Sequence, residues 1–315
     1  MELFDRSGTE WLRCQLHAHT TNSDGEATPA GLCDLYADAG YDVLAITDHW
    51  HVTDHPHDSL VVIPSSELSA RVEAGVGEAE VLALGVPVLP DVRDYFPTVE
   101  ALAAWIAAEG GVPFLCHPYW SGLEPAHYLE APSLVGMEIY NAGGEVGQGN
   151  GLSTVHWDDV LHRGGRALGI ATDDCHYPGR DSGFAWTAVN VAERSREAVL
   201  DALRRGDFYA STGPEILAVD VRDGAVEVNC SEAASVTLRS GPWDGSRVNA
   251  DERALDYRAA TVERGPGGGI VAARLELPEY WAWGRVEVGG ADGTCAWSNP
   301  FELPSPPSVA GPEGY

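Results

Sequence analysis

Short apolar runs recur from residue 11 to residue 191, and most of them stop at a histidine or a carboxylate. WLRCQL (11–16) ends at His17, VLAIT (43–47) at Asp48-His49, VPFLC (112–116) at His117, and ALGIAT (167–172) at Asp173-Asp174. The run 60–64 leads into Glu67, and further runs at 81–86, 135–140 and 187–191 read as strands of the same kind. Between them, apolar residues fall at helical spacing. Thr28-Pro29 supplies an N-cap and a first-turn proline for a helix to Ala39, with Gly40 suited to its C-terminal turn. Residues 98–109, 156–163 and 195–205 read as helices, each closed by glycine. Strands alternating with helices predict parallel βα units in an α/β domain. In a parallel barrel the reactive groups come from the C-terminal ends of the strands, where these polar residues fall.

After Gly213-Pro214 the period changes. Segments such as VDVRDGAVEVN, SVTLRS and RVEVGG alternate apolar and polar positions, with glycine turns and little helical pattern. They predict a small antiparallel β domain over 214–303, of sandwich type. WAWGRV and AWSNP place tryptophans in its core. The last residues, 304–315 (PSPPSVAGPEGY), read as a disordered tail. The division expected is 1–213, 214–303 and 304–315.

Composition narrows the function. Hydrophobic residues make up 44% of the 315, enough for a packed core. No apolar stretch approaches the ~20 residues that span a bilayer. The start, MELFDRSGTEW, shows no basic flank before an apolar core, so a cytoplasmic location is expected. Net charge is −29 and all 19 basic residues are arginine. Such a chain repels nucleic acid and anionic membrane. Cys14, Cys33, Cys116, Cys175, Cys230 and Cys295 form no CxxC pair and read as reduced, buried thiols, two of them beside the chemistry described next.

That chemistry is metal binding. In extended backbone, residues i and i+2 face one way, so His17 and His19 can reach one ion. Asp174-x-His176 repeats the spacing, with Asp173 behind it. Asp24 follows in Ser23-Asp24-Gly25, which also reads as an ordinary turn. His49 and His117 each close a strand; Asp48 is placed to orient a ring or cap a turn, and Glu67 to bridge two ions. His51, His55 and His57 read as loop residues. Together the set predicts a polynuclear metal site and a hydrolase.

The series LHAHTTNSDG, AITDHW, SSELSA, LCHPYW, MEIYNAG and TDDCHYPG resembles the PHP (polymerase and histidinol phosphatase) superfamily over residues 11–213. The run FAWTAVNVAERSREAVLDALRRGDFYASTGPEI and the β segment after it resemble the carbaryl-hydrolase-like (CehA/McbA) branch. The resemblance implies a distorted (β/α)7 barrel with two or three divalent ions, usually zinc, manganese or iron. It implies that His17, His19, Glu67 and Asp174 surround one ion, that Glu67 and His117 hold a second, and that Asp24, His49 and His176 hold a third. Where the family often has a histidine, GEAEVLALG has Glu80, which as a ligand would favour Mn or Mg. The implied activity is a phosphoesterase in which a metal-bridging hydroxide attacks phosphorus in line. The alternatives are carbamate, ester or amide hydrolysis on the same centre, or a non-catalytic metal-binding protein. Glu67, Asp174, Arg180 and His156 are the catalytic candidates, Arg180 as a clamp on phosphate; Asn141 lies nearby, and Trp50, Tyr119 and Trp120 are placed to wall a pocket. The partner expected is a small phosphorylated or ester substrate.

Overall fold

The computed structural model describes residues 1–6, 9–72, 77–90, 96–251 and 260–303. Through residue 211 its elements are β1 (Glu2–Asp5), β2 (Glu10–Gln15), α1 (Pro29–Asp38), β3 (Val43–Ile46), β4 (Val61–Arg71), β5 (Glu78–Leu84), α2 (Val99–Ala108), β6 (Val112–Leu115), α3 (Pro125–Leu129), β7 (Gly136–Asn141), α4 (Ala142–Gln148), α5 (Thr154–His162), β8 (Leu168–Thr172), β9 (Trp186–Val191), α6 (Arg196–Arg205) and β10 (Phe208–Ser211). The capping residues act as their chemistry dictates: the Thr28, Thr98 and Ser195 hydroxyls each accept a first-turn backbone N–H of α1, α2 and α6.

Thr9–Thr212 form one compact unit. Its strands lie in the order β10-β9-β2-β3-β4-β5-β6-β7-β8. Beyond β8 the chain returns to β2: the Asp174 N–H donates to the His17 carbonyl and the His19 N–H to the Cys175 carbonyl, both at 2.9 Å. The row of strands therefore closes on itself. A single apolar cluster takes Leu12, Val43, Ile63, Phe114, Ile170 and Val189 from strands all round that ring. No helix among the described residues is long and apolar enough to cross a membrane.

Pairing in the ring is mixed. β2–β3–β4 and β6–β7–β8 are parallel, whereas β5 runs antiparallel to both β4 and β6, and β9 antiparallel to β2 and β10. This departs from the run of parallel units expected above. The apolar run expected at 60–64 continues as β4 through SSELSA to Arg71. Glu67 therefore lies inside a strand and not past its end. Its antiparallel register sets Glu67 opposite Leu82 and Ser69 opposite Glu80, so Glu67 and Glu80 share one face.

The second unit comprises the described residues of 1–8 and 213–315. It contains β1 with β11 (Ile216–Arg222), β12 (Ala225–Ala233), β13 (Ser235–Arg239), β14 (Gly245–Asn249), β15 (Ala260–Arg264), β16 (Ile270–Glu276), β17 (Trp283–Gly289), β18 (Cys295–Ser298) and β19 (Phe301–Glu302). Within this unit one sheet has the order β1-β11-β12-β16-β15. The other has β14-β13-β17-β18, with β19 on β17. All these pairs are antiparallel, and β12 and β16 pack against β17 and β13. The expected boundary of 1–213 needs one correction. β1 pairs with β11, Glu2 opposite Asp220, so the N-terminal strand belongs with the β unit. The expected tail at 304–315 lies outside the described residues.

Candidate metal centre

The ends of β2 and β8 and the middle of β4 converge on one point. His17 Nε2 and His19 Nε2 stand 3.1 Å apart. Glu67 Oε2 is 3.2 Å from each of them, and Asp174 Oδ1 is 3.1 and 3.2 Å away. His17, His19 and Glu67 are almost wholly buried.

The protons of these rings follow from their other contacts. His17 Nδ1 donates to Glu138 Oε1 at 2.7 Å, which leaves Nε2 with a lone pair. The Ser23 hydroxyl donates to Asp48 at 2.8 Å, so its oxygen is free to accept from His19 Nδ1 at 3.3 Å, and His19 Nε2 is bare too. With both rings neutral, two lone pairs and two carboxylate oxygens face one another, and Asp174 Oδ1 is buried without a hydrogen-bond partner. Such a nest is repulsive until a cation enters it. The ligand–ligand edge of a tetrahedron with bonds of ~2.0–2.1 Å is ~3.3–3.4 Å, close to these separations. The donor set fits a small divalent ion.

The electrostatics report the same demand for positive charge. Burial pushes the His17 imidazolium down, yet the Asp174, Glu67 and Glu138 carboxylates hold it well above its ordinary value. His19 and His117 are each pushed up to about 9, burial being outweighed by carboxylates that include Glu67. Burial raises Glu67 and Asp174, and the histidines around them override it, holding both well down.

Two wider groups flank the nest. On one side Glu67 Oε1 is 3.2 Å from His117 Nε2, and Glu80 stands 3.6 Å from His117 Nε2 and 3.7 Å from His49 Nδ1. Burial and the Glu67 charge push Glu80 up to about 7. On the other side Asp24 Oδ2 is 3.4 Å from His176 Nε2 and 3.7 Å from His49 Nε2. His176 Nδ1 donates to the Asp174 carbonyl at 3.0 Å, which turns its bare Nε2 toward Asp24. All nine residues read as metal ligands from the sequence (His17, His19, Asp24, His49, Glu67, Glu80, His117, Asp174 and His176) are brought together.

Backbone strain accompanies this convergence. Asp174 and His117 have φ of 51° and 25°, left-handed values that non-glycine residues rarely adopt. Gly25 is required for a different reason: a Cβ there would lie 2.4 Å from the His19 carbonyl oxygen. Asp48 holds the same loop, accepting from the Thr20 N–H and from the Thr20, Ser23 and Thr53 hydroxyls. It caps that turn and contacts no ligand ring. Asp173 faces away, bound by the Tyr36 hydroxyl and by three backbone N–H groups of 183–185.

Glu138 is the residue the sequence reading passed over. Wholly buried in β7, it accepts from His17 Nδ1, the Thr172 hydroxyl, the His117 N–H and Asn141 Nδ2. Asn141 Nδ2 also reaches Asp174 Oδ2 at 3.1 Å, leaving Oδ1 to face the nest. The signal was present as one glutamate inside the apolar strand GMEIYN.

A cavity of about 580 Å³ opens onto the cluster, its walls including Trp120, Val146, Tyr177 and Arg180. Arg180 is at the rim, its side chain 72% exposed and 3.7 Å from Glu26. His156 does not join it: it lies on α5 beside the Tyr119 ring, outside the cavity lining, and burial pushes its imidazolium down. Trp50 stacks on Phe96, so of the three aromatic residues expected to wall a pocket only Trp120 lines this one. His51, His55 and His57 do not line it either, while Cys116 and Cys175 pack in apolar clusters.

No family model matches the chain, and no curated protein matches it. Among solved structures it aligns with a two-domain protein containing a predicted PHP-like metal-dependent phosphoesterase from Bacteroides vulgatus ATCC 8482. The TM-score is 0.51 at 17% identity, over 95% of this chain and 96% of that one. The chain shares that two-domain fold. An amidohydrolase from Chromobacterium violaceum, solved with bound sulfate and no metal, aligns at TM-score 0.43 and 15% identity, over 61% of this chain and 96% of that one.

Proposed function

We propose that this chain is a metal-dependent hydrolase of the PHP type, in the CehA/McbA-like branch, and that it cleaves phosphoesters. The observation that carries the reading is the buried set of two imidazole nitrogens and two carboxylate oxygens at 3.1–3.2 Å, with Asp174 Oδ1 left without a hydrogen-bond partner. On this reading the closed ring of strands is a distorted (β/α)7 barrel. The six free cysteines support a cytoplasmic location.

His17, His19, Glu67 and Asp174 would hold one divalent ion, Glu67, His117 and Glu80 a second, and Asp24, His49 and His176 a third. Zinc, manganese and iron suit the nitrogen-rich positions, and manganese or magnesium suits the position with Glu80. Ions bound there would supply Lewis acidity and lower the pKa of water. The protein's own residues set the geometry. Glu67 presents one oxygen to the nest and the other to His117, the disposition of a bridging carboxylate. Glu138 fixes the tautomer of His17, and Asn141 turns Asp174. Arg180 at the rim can meet phosphoryl oxygens.

The test is metal content and turnover together. Protein purified with Mn or Zn should bind at least one ion per chain and hydrolyse p-nitrophenyl or bis(p-nitrophenyl) phosphate. Glu67→Gln should lower both by roughly 100-fold or more, beyond the 10–100-fold loss typical of groups that only orient ligands. Turnover confined to aryl carboxylic esters or carbamates would overturn phosphoester cleavage, and full activity in Glu67→Gln would overturn the site.

A further inference from the structure

The imidazoles of the cluster form a row with an aromatic side chain at each end. From Trp120 the ring centroids run 5.0 Å to His117, 6.0 Å to His17, 5.1 Å to His19, 4.1 Å to His176 and 6.3 Å to Tyr177. Trp120 and Tyr177 both line the cavity, yet they remain 44% and 47% exposed. Both rings therefore present apolar surface to whatever enters the cavity.

The charge of the walls points the same way. Of the five acidic residues in the lining, Asp24, Glu67, Glu80 and Asp174 are candidate ligands whose charge bound ions would offset, which leaves Asp181 and one arginine, at the rim. A phosphomonoester near neutral pH is largely a dianion with three terminal oxygens and one organic arm. A phosphodiester is a monoanion with two terminal oxygens and two arms. One arginine and two separate aromatic walls match the second, and a cavity of about 580 Å³ has room for both arms.

We propose that the substrate is a phosphodiester with aromatic or similarly apolar arms, one against Trp120 and the other against Tyr177. The proposal rests on the phosphoesterase reading above and narrows it. Water adds across one P–O bond: its oxygen bonds to phosphorus, the bond to one arm breaks, and a proton passes to the departing oxygen. The products are an alcohol or phenol and a monoester. That monoester has lost an arm, so only one of the two aromatic walls still holds it.

Binding tests the proposal apart from turnover. The full chain, loaded with Mn and its metal content measured, is titrated in a calorimeter with diphenyl phosphate and with phenyl phosphate. Diphenyl phosphate should bind roughly tenfold more tightly. Trp120→Leu and Tyr177→Leu should each weaken it roughly three- to tenfold, the scale of one aromatic contact. Bound metal should not change, and Trp120→Phe should recover part of the loss. Equal or tighter binding of phenyl phosphate, binding of neither, or no effect from either leucine variant would overturn the proposal. Protein that selects diphenyl phosphate but cleaves no phosphate ester would instead bring down the hydrolase reading while leaving the selectivity in place.

Discussion

Glu138 shows how much one side chain does here. Buried inside an apolar strand, it meets four donors from three other parts of the chain, and one of them fixes which nitrogen of His17 faces the nest. Glu138→Gln keeps the shape and removes the charge. It should weaken metal binding roughly 10–100-fold, read by competition with a chelator, and a variant with wild-type affinity would remove Glu138 from this role. The histidines make a second prediction. The folded state holds His17 above its ordinary value and raises His19 and His117 to about 9. In metal-free protein their stabilising contribution is therefore complete below about pH 6.5, the unfolded value, and is lost as pH rises through about 9. Glu80, pushed up to about 7, works in the same direction, since its ionisation costs the folded state more than the unfolded chain. Chelator-treated protein should show a Tm that falls from pH 6.5 to 9.5, whereas loaded protein, whose ligands have already released their protons, should not. A metal-free Tm that stays flat or rises across that range would contradict these shifts. The histidine ligands could be read in sequence because each follows an apolar run. Glu138 could not, because a lone acid in a strand shows its partners only once the chain has folded, and His156 looked catalytic only through its place in the chain.

β4 and β5 explain how two glutamates far apart in sequence reach the same histidines. Their antiparallel register offsets Glu67 and Glu80 by two positions on one face, so both carboxylates reach His49 and His117. Most strands and helices could be read from period and caps, and their ends fall within a few residues of the expected ones. The direction of β5 could not, since an isolated apolar run says nothing about which way it pairs, nor could the continuation of β4 beyond Pro64 to Arg71. Glu80→Gln should lower bound metal by about one ion per chain while leaving the folded Tm of metal-free protein unchanged or higher, because it removes a partly buried acid. Unchanged metal content would show that Glu80 is not a ligand.

The whole molecule carries a net charge of −29, which opposes any anionic substrate. At ~0.1 M salt the Debye length is ~10 Å, so added salt shortens the reach of that field. For bis(p-nitrophenyl) phosphate, kcat/KM should therefore rise as ionic strength increases from about 0.02 to 0.2 M; a steep fall would mean that local positive charge governs encounter instead. The change from α/β to antiparallel texture near Gly213 was plain in the hydrophobic pattern. The placement of β1 was not, because its partner strand lies more than two hundred residues away: Glu2 pairs with Asp220.

Anomalous diffraction from crystals grown with Mn or Zn, measured at the metal edge, tests the central claim most directly. The account predicts a peak within bonding distance of His17 Nε2, His19 Nε2, Glu67 Oε2 and Asp174 Oδ1. Crystals whose metal lies elsewhere, with those four atoms bridged only by protons or water, would contradict it.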